Sequence, residues 1–269
     1  MRSPPIEELR EEAWAALDTD PERAVALAEQ ALRRQPDAEG HYLHGVALIE
    51  SGETDAGLEA LERAVEADPA HVGAWAALGL ALFDQCDWED ARVALSNALR
   101  VDPHHAEALY CRACLRERRG DHDGAARDYA AAAAEAPEDY QMPVPLDDDT
   151  ISEVTVDVLR QLHPSLQRYL ADVPILVDEV PDEDTLRDFD PPMGPAELLA
   201  CFTGPALTDR SVLSPWSSLP ATIVLYRRNL ARIASDRAEL REELRITLLH
   251  EIGHFLGLDE EDLAERGLE

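Results

Sequence analysis

The first half of the chain has a regular pattern of apolar positions that the second half lacks. In the first half, apolar and small residues recur every three or four positions, as on the buried face of an amphipathic helix. Pro36, Pro69, Pro103 and Pro137 interrupt this pattern at spacings of 33, 34 and 34 positions. A constant period of this length predicts stacked helical hairpins, because one hairpin cannot bury its own apolar face.

The same residue types return at the same offsets of each period. The best-preserved copy has aromatic, small and apolar residues at Trp75, Leu78, Gly79, Ala91, Leu95 and Ala98. We interpret the small residues as points where two helices approach closely. This pattern resembles the tetratricopeptide repeat over about residues 4–140, in about four copies. The resemblance implies an all-α helical repeat solenoid that binds protein partners.

The concave face of such a solenoid is predicted to be apolar with acidic edges. Where some relatives carry Lys, Asn and Arg to bind acidic peptide termini, this chain has apolar residues and acids such as Glu39 and Glu107, which excludes that mode of binding. We expect the face to bind a hydrophobic segment of a protein partner or a neighbouring domain, and a pure packing role for some of its residues stays open. The residues predicted to line it are Tyr42, Ile49, Leu80, Phe83 and Tyr110.

After Pro137 the helical period ends in a segment rich in proline and acidic residues. We place a domain boundary there, which gives a repeat domain at residues 1–140 and a second domain at 141–269. In the second domain we predict a helix over about 150–162 with Thr150 as its N-cap, and strands at 174–180 and 222–227. Residues 181–220 are rich in Pro, Asp and Ser and are predicted to be irregular.

The last predicted helix carries the candidate chemistry. Asp236 is positioned to cap it, and Leu240, Leu244, Leu248 and Ile252 form one apolar stripe. His250 and His254 lie four residues apart, away from that stripe, in the segment HEIGHFLGLDE. Two imidazoles at this spacing converge on one point and match two corners of a zinc tetrahedron.

The residues around the two histidines complete a possible site. Glu251 is placed to take a proton from an attacking water rather than to bind the metal. Gly257 can end the helix in a left-handed turn, after which the chain reverses and brings Asp259 or Glu260 back to the metal. Both acids remain open as the third ligand; Glu260 is preferred, because it stands where HExxHxxGxxH enzymes have their third histidine.

This second half resembles the small bacterial zincin-like metallopeptidases, which end in an HExGHxxGxxE-type segment. The resemblance covers nearly all of residues 150–269 and implies a small α+β domain with one Zn²⁺ per chain, held by His250, His254 and a carboxylate. We also expect the strand at 222–226 to hold the substrate backbone, and Tyr226 or Arg227 to stabilise the oxyanion.

Charge and cysteine content restrict the partners. With 24 basic and 56 acidic residues, the formal net charge is −32, which disfavours nucleic acid and membrane surfaces as partners. Four cysteines and no apolar leader favour a cytoplasmic protein. Cys111 and Cys114 have the spacing of a metal or redox pair, but no second pair completes four ligands, and we interpret them as packing residues.

These observations lead to two functional hypotheses. In the preferred one, the chain is a zinc-dependent metallopeptidase that hydrolyses peptide bonds, and its repeats recruit a protein substrate or partner. In the alternative, the chain is a protein-interaction scaffold whose zincin-like domain is inactive or structural.

Overall fold

The computed structural model describes residues 4–189, 193–207 and 221–268. The chain divides into two units, Met1–Tyr140 and Gln141–Glu269. We call them the repeat unit and the site unit and describe each by itself. Their architecture, helical repeats followed by a small α+β domain, agrees with the predicted fold class.

The described part of the repeat unit consists of eight helices, which pack as four consecutive pairs. Their bounds are α1 Ile6–Ala16, α2 Pro21–Arg34, α3 Ala38–Glu50, α4 Thr54–Ala67, α5 Val72–Asp84, α6 Trp88–Val101, α7 Ala106–Arg118 and α8 His122–Glu135.

Each periodic proline follows directly after the C-cap residue that ends the second helix of a pair. Pro36 follows Gln35, Pro69 follows Asp68, and the same holds after α6 and α8. Proline has no backbone N–H and cannot continue a helix. The period found in the sequence is therefore the period of the helix pairs.

The small residues permit the close approach that the sequence predicted. A Cβ on Gly79 would lie 2.7 Å from Cγ of Leu95, and one on Gly45 would lie 3.0 Å from the carbonyl oxygen of Gly57. The first separation is shorter than real Cβ atoms show, and the second is tighter than most real Cβ contacts. These glycines are needed because the second helix of each pair lies directly against the first.

The site unit has six helices and three strands among its described residues. Their bounds are α9 Asp148–Gln161, α10 Pro164–Leu170, β1 Ile175–Asp178, α11 Glu183–Arg187, β2 Ala200–Thr203, β3 Thr222–Tyr226, α12 Arg227–Arg232, α13 Arg237–Leu256 and α14 Glu260–Ala264. Across the described parts of the chain, no helix is both long enough and apolar enough to cross a membrane.

The three strands form one sheet in the order β1-β3-β2. β1 runs parallel to β3, and β2 runs antiparallel to it with Ala200 opposite Leu225 and Phe202 opposite Ile223. Because β3 is paired on both sides, it has no edge to offer to a peptide. The expectation that the strand at 222–226 holds a substrate backbone is therefore wrong.

Helices α9 and α13 and the sheet share one apolar core. Val154 and Val158 of α9 and Leu244 and Leu248 of α13 belong to it, together with the buried residues of β3. Arg241 of α13 also donates to Glu153 of α9 at 2.9 Å, across 88 positions of sequence. The site-bearing helix is thus held by α9, from the start of the unit, and by the sheet.

Two local predictions in the site unit were wrong. Helix α9 is capped by Asp147, whose carboxylate accepts the Thr150 N–H at 2.8 Å, so Thr150 lies inside the helix. The region 181–220 is not wholly irregular, since it contains α11 and β2. The rest of that prediction, at 190–192 and 208–220, lies outside the described residues.

Candidate metal centre and its cavity

Helix α13 presents the two histidines on the side opposite its buried stripe. Asp236 caps the helix by accepting the N–H groups of Ala238 and Glu239 at 2.7 and 3.0 Å, as predicted. Leu240, Leu244, Leu248 and Ile252 are buried. The side chains of His250 and His254 remain 22% and 25% exposed, so a ligand has access to them.

A left-handed turn at Gly257 brings the chain back toward these histidines. Gly257 has φ 88°, a conformation that favours glycine, and the Leu258 N–H bonds to the Gly253 carbonyl at 3.0 Å. The next helix, α14, begins at Glu260. The carboxylate of Glu260 lies 3.3 Å from Nε2 of His254 and 3.7 Å from Nε2 of His250.

The two acids left open as third ligand have different positions. The Asp259 carboxylate caps α14 by accepting the Asp262 N–H at 2.9 Å. Glu260 lies with the two histidines, and one ligand atom from each of the three lies within 4.8 Å of the others. Of the two candidates, the structure brings only Glu260 to the histidines.

Backbone carbonyls define the tautomer of each histidine. Nδ1 of His250 lies 2.6 Å from the Leu268 carbonyl oxygen, and Nδ1 of His254 lies 3.3 Å from that of Leu258. A carbonyl can only accept, so each Nδ1 carries the hydrogen. In the neutral rings both Nε2 atoms then present lone pairs, and these atoms lie 2.9 Å apart.

Two lone pairs and a carboxylate this close together require a positive charge between them. Zn²⁺ fits this donor set, because imidazole nitrogen and carboxylate oxygen are its usual ligands. Two nitrogens at about 2.0–2.1 Å from a tetrahedral zinc are about 3.3 Å apart. A rearrangement of a few tenths of an ångström therefore turns the observed geometry into a zinc site.

Glu251 lies beside this cluster and is only 6% exposed. Burial raises the pKa of its carboxyl group to about 7, while the charge of His250 and a hydrogen bond from the backbone N–H of Phe202 act to lower it. The Phe202 N–H belongs to β2. The short strand thus orients the carboxylate that is a candidate for proton transfer.

The cluster opens into a cavity of about 620 Å³. One wall comes from α13, through Glu243, Ile246 and Thr247. The other comes from β2 and its flanking residues, among them Leu199, Ala200, Cys201, Phe202, Pro205 and Ala206. A cavity of this size accommodates several residues of an extended peptide.

The two residues considered for the oxyanion lie elsewhere. Tyr226 is buried at 3% exposure and is hydrogen-bonded to Thr185, and Arg227 bonds to Glu179 and to the Leu146 carbonyl. Neither is among the described residues that line the cavity. The expectation that Tyr226 or Arg227 stabilises an oxyanion is wrong, because both are used to hold the sheet.

The residues predicted to line the concave face of the repeats differ in how much of their surface is exposed. Phe83 is 3% exposed and its ring packs edge-on against Trp88, so it lines no open surface. Tyr42 packs between Trp14 and His71. Ile49, Leu80 and Tyr110 are half-buried, and Tyr110 contacts Tyr129 and Tyr140.

The two cysteines with metal-site spacing in the repeat unit are packing residues. Cys111 and Cys114 are both buried at 4% exposure, as predicted. Burial raises the pKa of the Cys111 thiol well above its ordinary value. A thiol in this state is a poor nucleophile and a poor metal ligand.

Sequence reasoning missed the backbone groups around the site. The Leu258 and Leu268 carbonyls and the Phe202 N–H have no residue-type signature, because every residue has a carbonyl and nearly every residue an N–H. The resemblance to the zincin-like metallopeptidases, which covers nearly all of residues 150–269, was the one sequence signal that included the residues of β2.

Comparison with known proteins matches both units. The zincin-like metallopeptidase family model matches residues 170–268, and two tetratricopeptide repeat models match residues 11–72 and 48–115. Peroxisomal targeting signal receptors of Komagataella phaffii and Komagataella pastoris are 42% identical over 79 residues. That match covers 29% of this chain but only 13% of the receptors' length.

Solved structures resemble the chain over about half its length. The crystal structure of MamA is 21% identical with a TM-score of 0.43, covering 50% of this chain and 80% of MamA. YrrB, titled a TPR protein with an unusual peptide-binding site, is 20% identical with a TM-score of 0.41, covering 49% and 70%. By its family matches, the chain joins tetratricopeptide repeats to a zincin-like metallopeptidase domain.

Proposed function

We propose that the chain is a zinc-dependent metallopeptidase that hydrolyses peptide bonds. One observation carries the proposal: His250, His254 and Glu260 converge within 4.8 Å at the wall of a cavity, with the buried Glu251 beside them. In this assignment the three residues hold one Zn²⁺ per chain and Glu251 is the catalytic base.

A bound zinc ion supplies a Lewis acid that polarises a carbonyl and lowers the pKa of a water to about 7. Glu251 accepts a proton from the attacking water and passes it to the leaving amine nitrogen. The Phe202 N–H holds one oxygen of the Glu251 carboxylate, which fixes its orientation. The Leu268 and Leu258 carbonyls keep the two imidazoles aimed at the shared point.

Strand β2 is the element that we propose aligns the substrate. It lies at the margin of the described sheet, pairing with β3, and Ala200, Cys201 and Phe202 line the cavity. An extended peptide that runs beside β2 gains backbone hydrogen bonds without reference to its side chains. Its scissile bond would then pass Glu251.

For the repeat unit we propose recruitment of a protein substrate or partner. The half-buried side chains Tyr42, Ile49, Leu80 and Tyr110 offer apolar surface on the first helices of the repeats. Binding there raises the local concentration of a substrate without altering the chemistry. The cytoplasmic location inferred from composition stays a prediction.

The test is zinc analysis together with hydrolysis by the Glu251→Gln variant. We expect one zinc per chain in both proteins and a loss of hydrolysis of about 10²–10⁴-fold in the variant. Glu261→Gln, on the exposed side of α14, is the matched control and should remain active. Undiminished hydrolysis by Glu251→Gln would overturn the mechanism.

The alternative is an interaction scaffold with a structural or inactive zincin-like domain. It is favoured by the repeats, whose family members are widely binding modules. Absence of zinc after incubation with the ion, or zinc without hydrolysis of any peptide in a diverse mixture, would favour the scaffold.

A further inference from the structure

The cavity beside the candidate metal centre contains carboxylates that the proposed chemistry does not use. Glu243 lies on the α13 wall, and Glu197 lies on the segment before β2. The described lining residues include no Arg, and their histidines are His250 and His254. With Glu251 and Glu260 assigned to proton transfer and metal, two negative charges remain for an occupant of the cavity.

Glu243 is the better placed of the two. It precedes His250 by seven residues, which is two helical turns, so both lie on one face of α13 about 10.5 Å apart along the axis. Thr247, between them, donates its hydroxyl to the Glu243 backbone carbonyl at 2.8 Å and not to the carboxylate. Within the described residues, the Glu243 carboxylate has no ion pair.

The burial of Glu243 makes its charge effective. Its side chain is half-buried, whereas its neighbour Glu242 is exposed and paired with Arg245 at 2.6 Å. A partly buried charge is screened by salt less than an exposed one. Apolar residues of the same cavity, such as Ile246 one turn further along α13, lower the local dielectric further.

The distance between Glu243 and the metal centre indicates which residue of a bound peptide would meet Glu243. An extended peptide rises about 3.3 Å per residue. About three residues therefore cover the distance along the helix axis from His250 to Glu243. The side chain at that position meets a carboxylate, and those between meet the largely apolar walls of the cavity.

We propose that the cavity selects peptide segments with Arg or Lys about three residues from the scissile bond, and that Glu243 binds this basic side chain. The inference rests on the proposed function, because it assumes that the occupant of the cavity is a peptide. The net charge of −32 agrees with it, since such a surface draws cationic segments toward the chain.

The test measures binding separately from hydrolysis. A single Arg is moved along an otherwise uncharged, largely apolar peptide, with Gln at the same position as the reference. Affinities are measured by calorimetry on the zinc-incubated, full-length Glu251→Gln chain. We expect the Arg peptide to bind about tenfold more tightly at one or two adjacent positions.

The variant pair Glu243→Gln and Glu242→Gln assigns the effect. In the Glu251→Gln background, Glu243→Gln should abolish the preference for Arg, and Glu242→Gln should preserve it. Equal affinity for both peptides, failure of the Arg peptide to bind, or a preference that survives Glu243→Gln overturns the inference.

Hydrolysis by the unaltered catalytic chain distinguishes the two proposals. Cleavage of Arg and Gln peptides at equal rates would support the peptidase and overturn the selection of basic residues. If Arg peptides bind preferentially through Glu243 but no peptide is cleaved, recognition of basic side chains is supported and the proposed peptidase activity is overturned.

Discussion

A Cβ atom on Gly253 would lie 2.3 Å from Cδ2 of Leu263. Gly253 stands between the two histidines on α13, and Leu263 is the fully buried residue of α14. The missing side chain therefore lets α14 close against α13. Since Glu260 begins α14, this contact determines how near its carboxylate comes to the histidines.

Substituting Gly253→Ala should weaken zinc binding by about 10–100-fold, the range found when groups that orient ligands are lost. The added methyl forces the fully buried Leu263 side chain to move, and we expect α14 to move with it. Zinc affinity can be measured by competition with a chromogenic chelator. The double variant Gly253→Ala/Leu263→Ala removes the clash and should recover part of the affinity; an equal loss in both variants would show that the clash is not the cause.

Substituting Glu260→Ala should lower zinc affinity strongly, and Asp259→Asn should leave it almost unchanged. Glu260 lies 3.3 Å from His254, whereas Asp259 caps α14, a role that Asn also performs. The two variants change adjacent acids and are compared in the same competition assay. Equal losses of zinc would contradict the assignment of Glu260 as the ligand.

A shortened chain of residues 141–269 should bind zinc as tightly as the full chain and melt cooperatively. The site unit has its own apolar core, and its ligands and their supporting carbonyls all lie within it. The measurements are zinc content and thermal unfolding of both proteins. The shortened chain should also cleave short peptides normally, with a higher KM only for a protein substrate recruited by the repeats. An insoluble or metal-free product would contradict this independence.

Stability of the repeat unit should fall in acid partly through Asp37. Burial acts to raise its pKa, but the Arg10 guanidinium at 2.5 Å, the Gly40 N–H and Gln35 lower it from 3.8 to about 2. A depressed pKa in the folded state stabilises at neutral pH, and this contribution is lost as the pH falls from about 4 through 2.

The variant Asp37→Asn keeps the helix cap but removes this charge. At pH 7 it should melt a few degrees below the parent chain, for a loss of about 1 kcal/mol after solvent screening. At pH 3 the difference should be roughly halved. Thermal melting at the two pH values checks this, and a difference that does not shrink in acid would exclude the ion pair as its source.

The repeat unit could be predicted from its sequence period. Strand β2 could not, because it lies in a segment whose composition is typical of loops. The prolines and close-packed glycines recur at one period, and each has a local physical reason. Strand β2 has four residues, Ala200–Thr203, inside a region rich in turn-forming residues. It is a strand because β3 lies beside it, and such long-range pairing leaves no local pattern.

The sequence predicted the side chains of the candidate site but not the backbone groups that orient them. Two histidines at helical spacing and a glycine stop indicated a metal site, yet both Asp259 and Glu260 fitted the sequence. In the structure Asp259 caps α14, whereas the Glu260 carboxylate lies beside the histidines. Similarly, three consecutive aspartates precede Thr150, and a choice among such caps depends on how the chain enters the helix.

The pairing of α9 with α13 has a consequence for the time course of folding. In the repeat unit each helix packs mainly on its sequence neighbours, so loops are short and their closure costs little entropy. The site unit must bring together residues as far apart as Glu153 and Arg241, 88 positions away. Chains whose contacts are this distant in sequence fold more slowly. The repeats should therefore be folded while the apolar residues of β1 and β3 are still exposed, and the site unit is the part of the nascent chain most prone to aggregation.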